Sequence, residues 1–204
     1  MEEIFKNMDP EKRDRIINSA LEEFSTNRFE KASTNNIVKN AGISKGLLYH
    51  YFSSKRILYE YLETFVIEII TDAISKEMNW EEKDLFARLK QIVLIKLKVY
   101  VRYPYLVAFG KVMFEKKSID ELKKEAENYI PDVYKKVYYE NIDFTLFKDN
   151  VDVQKAIKIT QWSLEKLGEE WMKSSALASG DTDYSGLSQE IDEYLEILKR
   201  AFYK

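Results

Sequence analysis

Residues 32–55 read ASTNNIVKNAGISKGLLYHYFSSK, and this stretch decides the fold. Ser33 is a start signal for one short helix, and Ser44 caps a second. Between them, Gly42 can take the left-handed backbone conformation that a tight turn requires. Apolar residues at helical spacing give each helix a buried face: Ile37, Val38 and Ala41 in the first, Leu48 and Phe52 in the second. The stretch therefore predicts two short helices joined by a glycine turn.

The flanking sequence supplies a support for this pair. Asp9 and Pro10 predict an N-cap followed by proline at the first helical position, and the helix they start ends near Asn27. Its apolar stripe comprises Ile16, Ile17, Ala20, Leu21 and Phe24. After the pair, Ser53 or Ser54 caps a long fourth helix. Two short helices propped on a longer one form a helix-turn-helix, whose second helix enters the major groove of DNA.

Composition narrows the class of protein. The chain has 204 residues, of which 45% are hydrophobic, with only 6 glycines and 3 prolines, and this scarcity of turn residues favours an all-α fold. The absence of cysteine excludes disulfides and thiolate metal sites. Because the sequence shows neither a secretory leader nor an apolar run of membrane-spanning length, we expect a cytoplasmic protein.

The charge of the chain is unevenly distributed. Residues 28–56 hold six basic side chains and one acid, a net charge of +5, so the rest of a chain of net charge −3 carries −8. A basic segment on an acidic body is typical of a molecule that meets phosphate at one end. A solvated helix face would give the same local pattern.

The residues ASTNNIVKNAGISKGLLYHYFSSKRILYEYL strongly resemble the DNA-binding domain of TetR-family transcriptional regulators. That family's pattern reads roughly T-x-x-I-A-x-x-A-G-[VI]-S-x-G-x-[LI]-Y-x-[YH]-F-x-[SN]-K-x-x-L. The match covers about residues 32–62, and the first-helix pattern extends it back to about residue 10. The resemblance implies an all-α protein with a three-helix DNA-binding domain over residues 1–54. A long helix then joins it to a helical ligand-binding and dimerisation domain over residues 55–204.

The resemblance also implies the residues that contact DNA. The predicted set is Thr34, Ser44, Lys45, Gly46, Leu47, Tyr49, His50, Tyr51 and Lys55. Thr34 matches a threonine that contacts phosphate, and Lys55 matches a phosphate anchor. Lys45 can reach a guanine edge or a phosphate. At Gly46 the backbone can come close to DNA, where a side chain would hold it off.

The remaining members of this set are less uniform. Tyr49 and Tyr51 match positions that pack on the sugar-phosphate backbone, with Tyr49 the firmer contact and one of the two partly in the core. His50 is isolated from other metal ligands and is expected to donate to a phosphate or base. Leu47 and Lys39 depart from the family pattern, which favours small residues there, and Leu47 suits a thymine methyl.

The remaining two thirds of the chain are predicted to be helical. We expect helices at about 82–102, 104–116, 119–139, 151–175 and 187–202, with a flexible connector at SSALASGDTDYSG. The resemblance implies that the last two long helices pair with their copies in a homodimer. The apolar stripe of the last helix fits that role, and it equally fits the core of a monomer. A two-fold axis would let the dimer read the half-sites of a palindromic operator, about 34–36 Å apart.

Aromatic residues are abundant in the middle helices, where the family holds an inducer pocket. The chain has 14 tyrosines, 11 phenylalanines and 3 tryptophans. Phe109, Met113 and Trp162 are the candidate ligand-binding residues, and an aromatic stripe is also typical of plain core. The expected function is a transcriptional repressor released from its operator by an apolar or aromatic small molecule.

Two other classes of function compare with this one: an enzyme, and a regulator that acts through a protein partner. With one histidine, no cysteine and no glycine-rich phosphate loop, the sequence offers no catalytic set, so we expect no enzyme, no metal and no cofactor. The alternative is a DNA-bound regulator that acts through a protein partner rather than a small-molecule inducer.

Overall fold

The computed structural model describes residues 5, 7–115, 131–175 and 185–204, and these residues are predominantly helical. The helices are α1 (Pro10–Thr26), α2 (Thr34–Ala41), α3 (Lys45–Tyr51), α4 (Lys55–Glu77), α5 (Leu85–Arg102), α6 (Leu106–Glu115), α7 (Pro131–Tyr138), α8 (Val153–Ser175) and α9 (Ser185–Phe202). A single 3₁₀ turn covers Phe144–Leu146, and an isolated antiparallel bridge joins Phe147 to Tyr203. Within the described ranges there is no β-strand, and the all-α prediction is confirmed.

Helix bounds follow the sequence signals closely where those signals are local. Asp9 caps α1 by accepting a hydrogen bond from the Lys12 amide at 2.9 Å, with Pro10 at the first helical position. Ser54 Oγ accepts from the Ile57 amide at 3.2 Å at the start of α4. The predicted helix at 119–139 is seen only as α7, because residues 116–130 lie outside the described residues. Most of the predicted connector, residues 176–184, lies outside them as well.

The described residues group into two compact units. Those up to Ile70, together with 99–115, belong to the first unit, and residues 71–98, 131–175 and 185–204 belong to the second. In the first, α1 packs against α2 and α6. In the second, α8 packs against α9. This grouping describes packing, and the predicted functional division between residues 54 and 55 stays a prediction.

Polar side chains along α1 hold the segment that follows α5. Asp14 accepts two hydrogen bonds at 2.7 Å, from Arg102 Nε and from the Tyr103 hydroxyl. Two turns further on, Glu22 accepts one from the Tyr105 hydroxyl at 2.9 Å. Burial, and then the bond to Asp14, raise the pKa of the Tyr103 phenol, so this hydroxyl stays a donor at neutral pH. Residues 102–105 are thereby tied to the helix that supports the helix-turn-helix.

A buried arginine organises part of the second unit. Arg88 is only 1% exposed, and its guanidinium donates to the carbonyl oxygens of Trp80 at 2.8 Å, Glu82 at 2.6 Å, Lys136 at 2.8 Å and Glu140 at 2.9 Å. Two of these carbonyls belong to the end of α7 and the residues after it, where a helix leaves its last carbonyls without partners. Arg88 therefore joins α5 to the C-terminal end of α7.

The end of α9 is fixed by a second polar cluster in this unit. Asp84 accepts from the Tyr203 hydroxyl at 2.8 Å, and its other oxygen lies 2.7 Å from Lys199 Nζ. Asp84 also accepts from the Phe86 amide at 2.9 Å, which caps the start of α5. Burial raises the pKa of the Asp84 carboxyl, but the hydrogen bonds from Lys199 and Tyr203 outweigh it, and the pKa is lowered overall.

Candidate DNA-binding surface

The turn between α2 and α3 has the geometry that the sequence predicts. Gly42 lies in the left-handed region, with φ 66° and ψ 39°. Its amide donates to the Lys39 carbonyl at 3.3 Å, and the Ile43 amide donates to the Val38 carbonyl at 3.0 Å. These bonds satisfy the last carbonyls of α2 while the chain turns sharply into α3.

The short helix α3 has one buried and one exposed face. Ser44 caps it, because its Oγ accepts from the Leu47 amide at 3.1 Å. Leu48 and Phe52 are buried against the rest of the first unit, as predicted. On the other face, Lys45, Gly46, Tyr49 and His50 are exposed, while Leu47 and Tyr51 are half-buried. This exposed face is the one that a recognition helix presents to DNA.

A pair of hydroxyls connects the two helices of the motif. Thr34 Oγ1, in the first turn of α2, lies 3.2 Å from the Tyr49 hydroxyl on α3. Lys45 Nζ lies 6.0 Å from the centre of the Tyr49 ring. Ser33 occupies the N-cap position of α2 without a capping bond from its side chain. The structure thus brings three of the predicted DNA-contact residues together at one place: Thr34, Lys45 and Tyr49.

Gly46 is not required by the packing of the chain itself. A Cβ built at this position would approach only Ser44 Oγ, at 4.0 Å, which is ordinary van der Waals contact. The backbone φ of Gly46 also lies outside the left-handed region. Glycine inside a helix costs about 1 kcal/mol relative to alanine. Glycine at this position therefore does not stabilise the fold, and its effect is that no side chain projects from the exposed face of α3.

Lys55 makes contacts that the sequence does not predict. Its ammonium donates to the carbonyl oxygens of Phe29 at 2.6 Å, Ala32 at 3.0 Å and Glu30 at 3.3 Å. Nζ also lies 4.7 Å from the centre of the Phe29 ring. The side chain is half-buried beneath the connector between α1 and α2. Whether Lys55 also contacts phosphate, as the family resemblance implies, stays a prediction.

Glu23 is a polar residue of the motif that the sequence reading missed. It is 7% exposed, and its carboxylate accepts from the Ser33 amide at 2.8 Å, Asn27 Nδ2 at 3.1 Å and Asn36 Nδ2 at 3.2 Å. Because position 23 is three residues after Ala20, the apolar stripe of α1 places it on the buried face. An acid on a buried face requires polar partners, and that was the signal available.

Phe5 is a second residue that sequence reasoning missed. It is 1% exposed, and its ring makes edge-to-face contacts with Phe52 at 4.8 Å and with Tyr51 and Tyr61 at 5.4 Å between ring centres. The end of α3 is therefore packed against an aromatic side chain from the N-terminal segment. Tyr51 is part of this packing, whereas Tyr49 is 37% exposed.

Exposed basic side chains recur along residues 28–56, the segment that contains α2 and α3. Arg28, Lys31, Lys39, Lys45 and Arg56 are all exposed. Arg56 lies 3.8 Å from Glu60, and its guanidinium lies 5.0 Å from the centre of the Phe29 ring. An exposed ion pair at this distance neutralises little charge, so these cations remain available to a charged partner. That they form one positive surface stays a prediction.

The three candidate ligand-binding residues have different surroundings. Phe109 and Met113 are fully buried in the first unit, where the Phe109 ring lies 5.2 Å from that of Tyr59 and 6.5 Å from that of Phe24. Trp162 lies in the second unit and is 61% exposed. Phe109 therefore belongs to an aromatic core in this structure, and ligand binding by these residues stays a prediction.

Two features are absent from the described part of the chain. It contains no group of three or more histidine, cysteine, aspartate or glutamate residues placed to hold a metal ion. None of its helices is both long enough and apolar enough to cross a membrane.

Solved structures share this fold over nearly the whole chain. A TetR family transcriptional regulator from Chloroflexus aurantiacus J-10-FL superposes with a TM-score of 0.63 at 23% identity, covering 99% of this chain and 98% of that one. The fatty acid degradation regulator FadR from Bacillus halodurans gives a TM-score of 0.58 at 20% identity, covering 95% and 96%. At these identities the likeness establishes the fold: an N-terminal helix-turn-helix followed by a helical domain.

Sequence comparison locates the family signal in the helix-turn-helix. The HTH-type transcriptional regulator UidR of Escherichia coli K12 is 50% identical over 48 residues, 24% of each chain. The nucleoid occlusion factor SlmA of Edwardsiella ictaluri is 32% identical over 82 residues, 40% of this chain and 41% of its own. The chain thus spans well under half the length of these curated relatives. Residues 16–62 match the model of the bacterial regulatory proteins of the tetR family. Through this domain, the chain is similar to the tetR family of bacterial regulatory proteins.

Proposed function

We propose that the protein is a ligand-responsive, DNA-binding transcriptional regulator that represses its target genes from a palindromic operator. The observation that carries this proposal is α3 itself, in which Leu48 is buried while Lys45, Gly46, Tyr49 and His50 are exposed. A helix of seven residues with this division of faces can enter the major groove with its N-terminal end toward the bases. The same surface attracts the phosphates on either side of the groove.

The protein would bind its operator as a homodimer, because one short helix offers too few contacts for a specific site. Exposed apolar residues on α8 and α9 support this arrangement. They are Trp162 at 61%, Ile197 at 58%, Tyr194 at 44% and Ile159 at 40% exposure. Within each helix the two residues are three apart and therefore share a face. Large apolar side chains at this exposure are typical of a surface that a second subunit covers.

Footprinting tests the operator and the symmetry together. The full chain is incubated with duplex DNA from the region upstream of its own gene, and protection from cleavage is mapped on both strands. We expect two protected half-sites whose centres are about one helical turn apart, or a multiple of it. Protection by Lys45→Glu should be lost, whereas Lys111→Glu, an exposed residue of α6, should still protect. If no duplex is protected at concentrations where the protein is folded, the proposal is wrong.

The proposed inducer is an apolar or aromatic small molecule bound in the helical body. Its effect would be to change the spacing of the two recognition helices. Two structural links could carry the change: α4, which is continuous from Lys55 to Glu77, and the bonds from α1 to residues 102–105. A ligand shifts such an equilibrium only as far as it prefers one of the two states. Mass spectrometry of the purified protein identifies a bound ligand, and adding that ligand should weaken operator binding.

A regulator that acts through a protein partner is the second candidate. It is favoured by the match to nucleoid occlusion factors, which extends over 82 residues and so beyond the 16–62 domain. Under this alternative, no small molecule changes operator affinity, and a purified partner protein binds the regulator only when DNA is present. Either function places the protein in the cytoplasm with its DNA, and neither requires an enzyme activity.

A further inference from the structure

All the hydrogen-bonding capacity of the Lys55 ammonium is used inside the chain. An ammonium has three N–H donors, and three carbonyl oxygens, those of Phe29, Glu30 and Ala32, lie 2.6–3.3 Å from Nζ. The centre of the Phe29 ring lies 4.7 Å from the same nitrogen, a cation–π contact within the chain. A phosphate could reach this ammonium only if at least one carbonyl were released and left without a partner.

The segment that Lys55 holds leads directly into the DNA-binding helices. Ala32 precedes Ser33, whose amide is bound by Glu23 at 2.8 Å, and Thr34 follows with its hydroxyl 3.2 Å from that of Tyr49. Lys55 thus binds the carbonyls of the connector, and Glu23 binds the amide that directly follows it. Moving it would displace Thr34 and break the Thr34–Tyr49 contact.

We propose that Lys55 is a positioning residue for DNA binding: it holds the 29–32 connector so that Thr34 and Tyr49 are placed for the phosphate backbone, and it makes no phosphate contact of its own. This inference rests on the proposed function and assigns Lys55 a role different from the phosphate anchor that family resemblance implies. The positive charge of Lys55 is needed here because it polarises three bonds to neutral carbonyls.

Salt dependence separates the two roles. Each phosphate that a cation neutralises on B-DNA contributes about 0.9 to the slope of log K against log salt concentration. Removing a residue that contacts phosphate therefore weakens binding and also flattens the slope. Removing a residue that only positions others weakens binding at every salt concentration and leaves the slope almost unchanged.

The test uses Lys55→Met, Lys45→Met and the control Lys111→Met in the full-length protein. The probe is a duplex that the wild-type protein selects from a random-sequence pool, and affinity is measured by fluorescence anisotropy from about 50 to 300 mM salt. We expect Lys55→Met to lose about tenfold or more in affinity with an unchanged slope. Lys45→Met should flatten the slope by about 0.9 per protomer, and Lys111→Met should change neither quantity.

A second measurement, amide hydrogen exchange in the absence of DNA, tests whether Lys55 stabilises the 29–32 connector. The amides of Lys31 and Ala32 both donate to the Arg28 carbonyl at 2.9 Å, and in Lys55→Met their hydrogen exchange should accelerate while exchange in α1 is unaffected. If Lys55→Met does not fold, Lys55→Gln, which keeps two donors, replaces it in both measurements. A slope that flattens on loss of Lys55, or unchanged exchange of these amides, overturns the inference and leaves the proposed function standing. Failure of the wild-type protein to select any duplex rejects the proposed function instead.

Discussion

Replacing Glu23 tests whether a buried carboxylate holds the helix-turn-helix together. In Glu23→Ala the Ser33 amide loses a partner at 2.8 Å, and Asn27 and Asn36 lose partners at 3.1 and 3.2 Å. A hydrogen bond to a charged group contributes about 1.5–3 kcal/mol, and a donor left buried costs a similar amount. The two amide side chains can turn toward water, so most of the loss comes from the backbone amide of Ser33.

We therefore expect Glu23→Ala to lower the free energy of unfolding by about 3 kcal/mol, a large part of the 5–15 kcal/mol typical of a folded domain. Glu23→Gln keeps one oxygen that can accept from Ser33 and should lose only about half as much. Urea denaturation followed by circular dichroism measures both changes as shifts of the midpoint. The control is Glu60→Ala, since Glu60 is exposed and lies 3.8 Å from Arg56.

The glutamine variant decides which property of Glu23 matters. If the acceptor matters most, Glu23→Gln lies between the wild type and Glu23→Ala. If Glu23→Ala costs no more than Glu60→Ala, the three hydrogen bonds contribute nothing net, and the reasoning about the buried carboxylate is refuted. A loss of operator affinity in Glu23→Ala at temperatures where α1 is still folded would further connect this residue to the placement of α2.

Three further predictions concern the turn and the second unit. Gly42→Ala should cost about 1–2 kcal/mol, because φ is 66° and nothing lies within 4 Å of the added Cβ, so backbone conformation alone sets the loss in a urea melt. Because the pKa of Asp84 is lowered in the folded chain, its carboxylate contributes stability that is present above about pH 4 and is lost as pH falls through the folded-state pKa. In Asp84→Asn, the free energy of unfolding should therefore depend less on pH in this range. Arg88→Met leaves at least four carbonyls without their donor and should lower the free energy of unfolding by about 3 kcal/mol or more. Arg88→Lys should not restore this stability, because an ammonium has only three donors where the guanidinium has five. Thermal melts of the wild type and the two variants check both expectations.

Local signals were sufficient to predict the helix-turn-helix. The cap at Ser44, the left-handed Gly42 and the spacing of Leu48 and Phe52 each act within one or two turns of helix, so they can be read from neighbouring residues. Contacts between distant residues could not be read in this way. Lys55 reaches carbonyls 23 to 26 residues earlier, and no local pattern specifies which atoms a long side chain will meet.

The last helix shows what periodicity leaves open. The sequence predicted an apolar stripe on α9, and Leu187, Ile191 and Leu195 are indeed buried, but they are buried within this chain. Tyr194 and Ile197, the residues of α9 that the proposed second subunit would cover, lie outside that stripe. A stripe shows that a helix has a buried face, and the structure is needed to show what covers it.

Under the proposed function, folding and DNA recognition favour different residues at position 46. Because its neighbours leave room for a methyl group, Gly46→Ala should make the free protein slightly more stable while crowding the surface that approaches the duplex. Directed evolution toward heat resistance alone would be expected to discard this glycine early. Under the proposed function, variants recovered from such an experiment would have a higher free energy of unfolding and a lower affinity for promoter DNA.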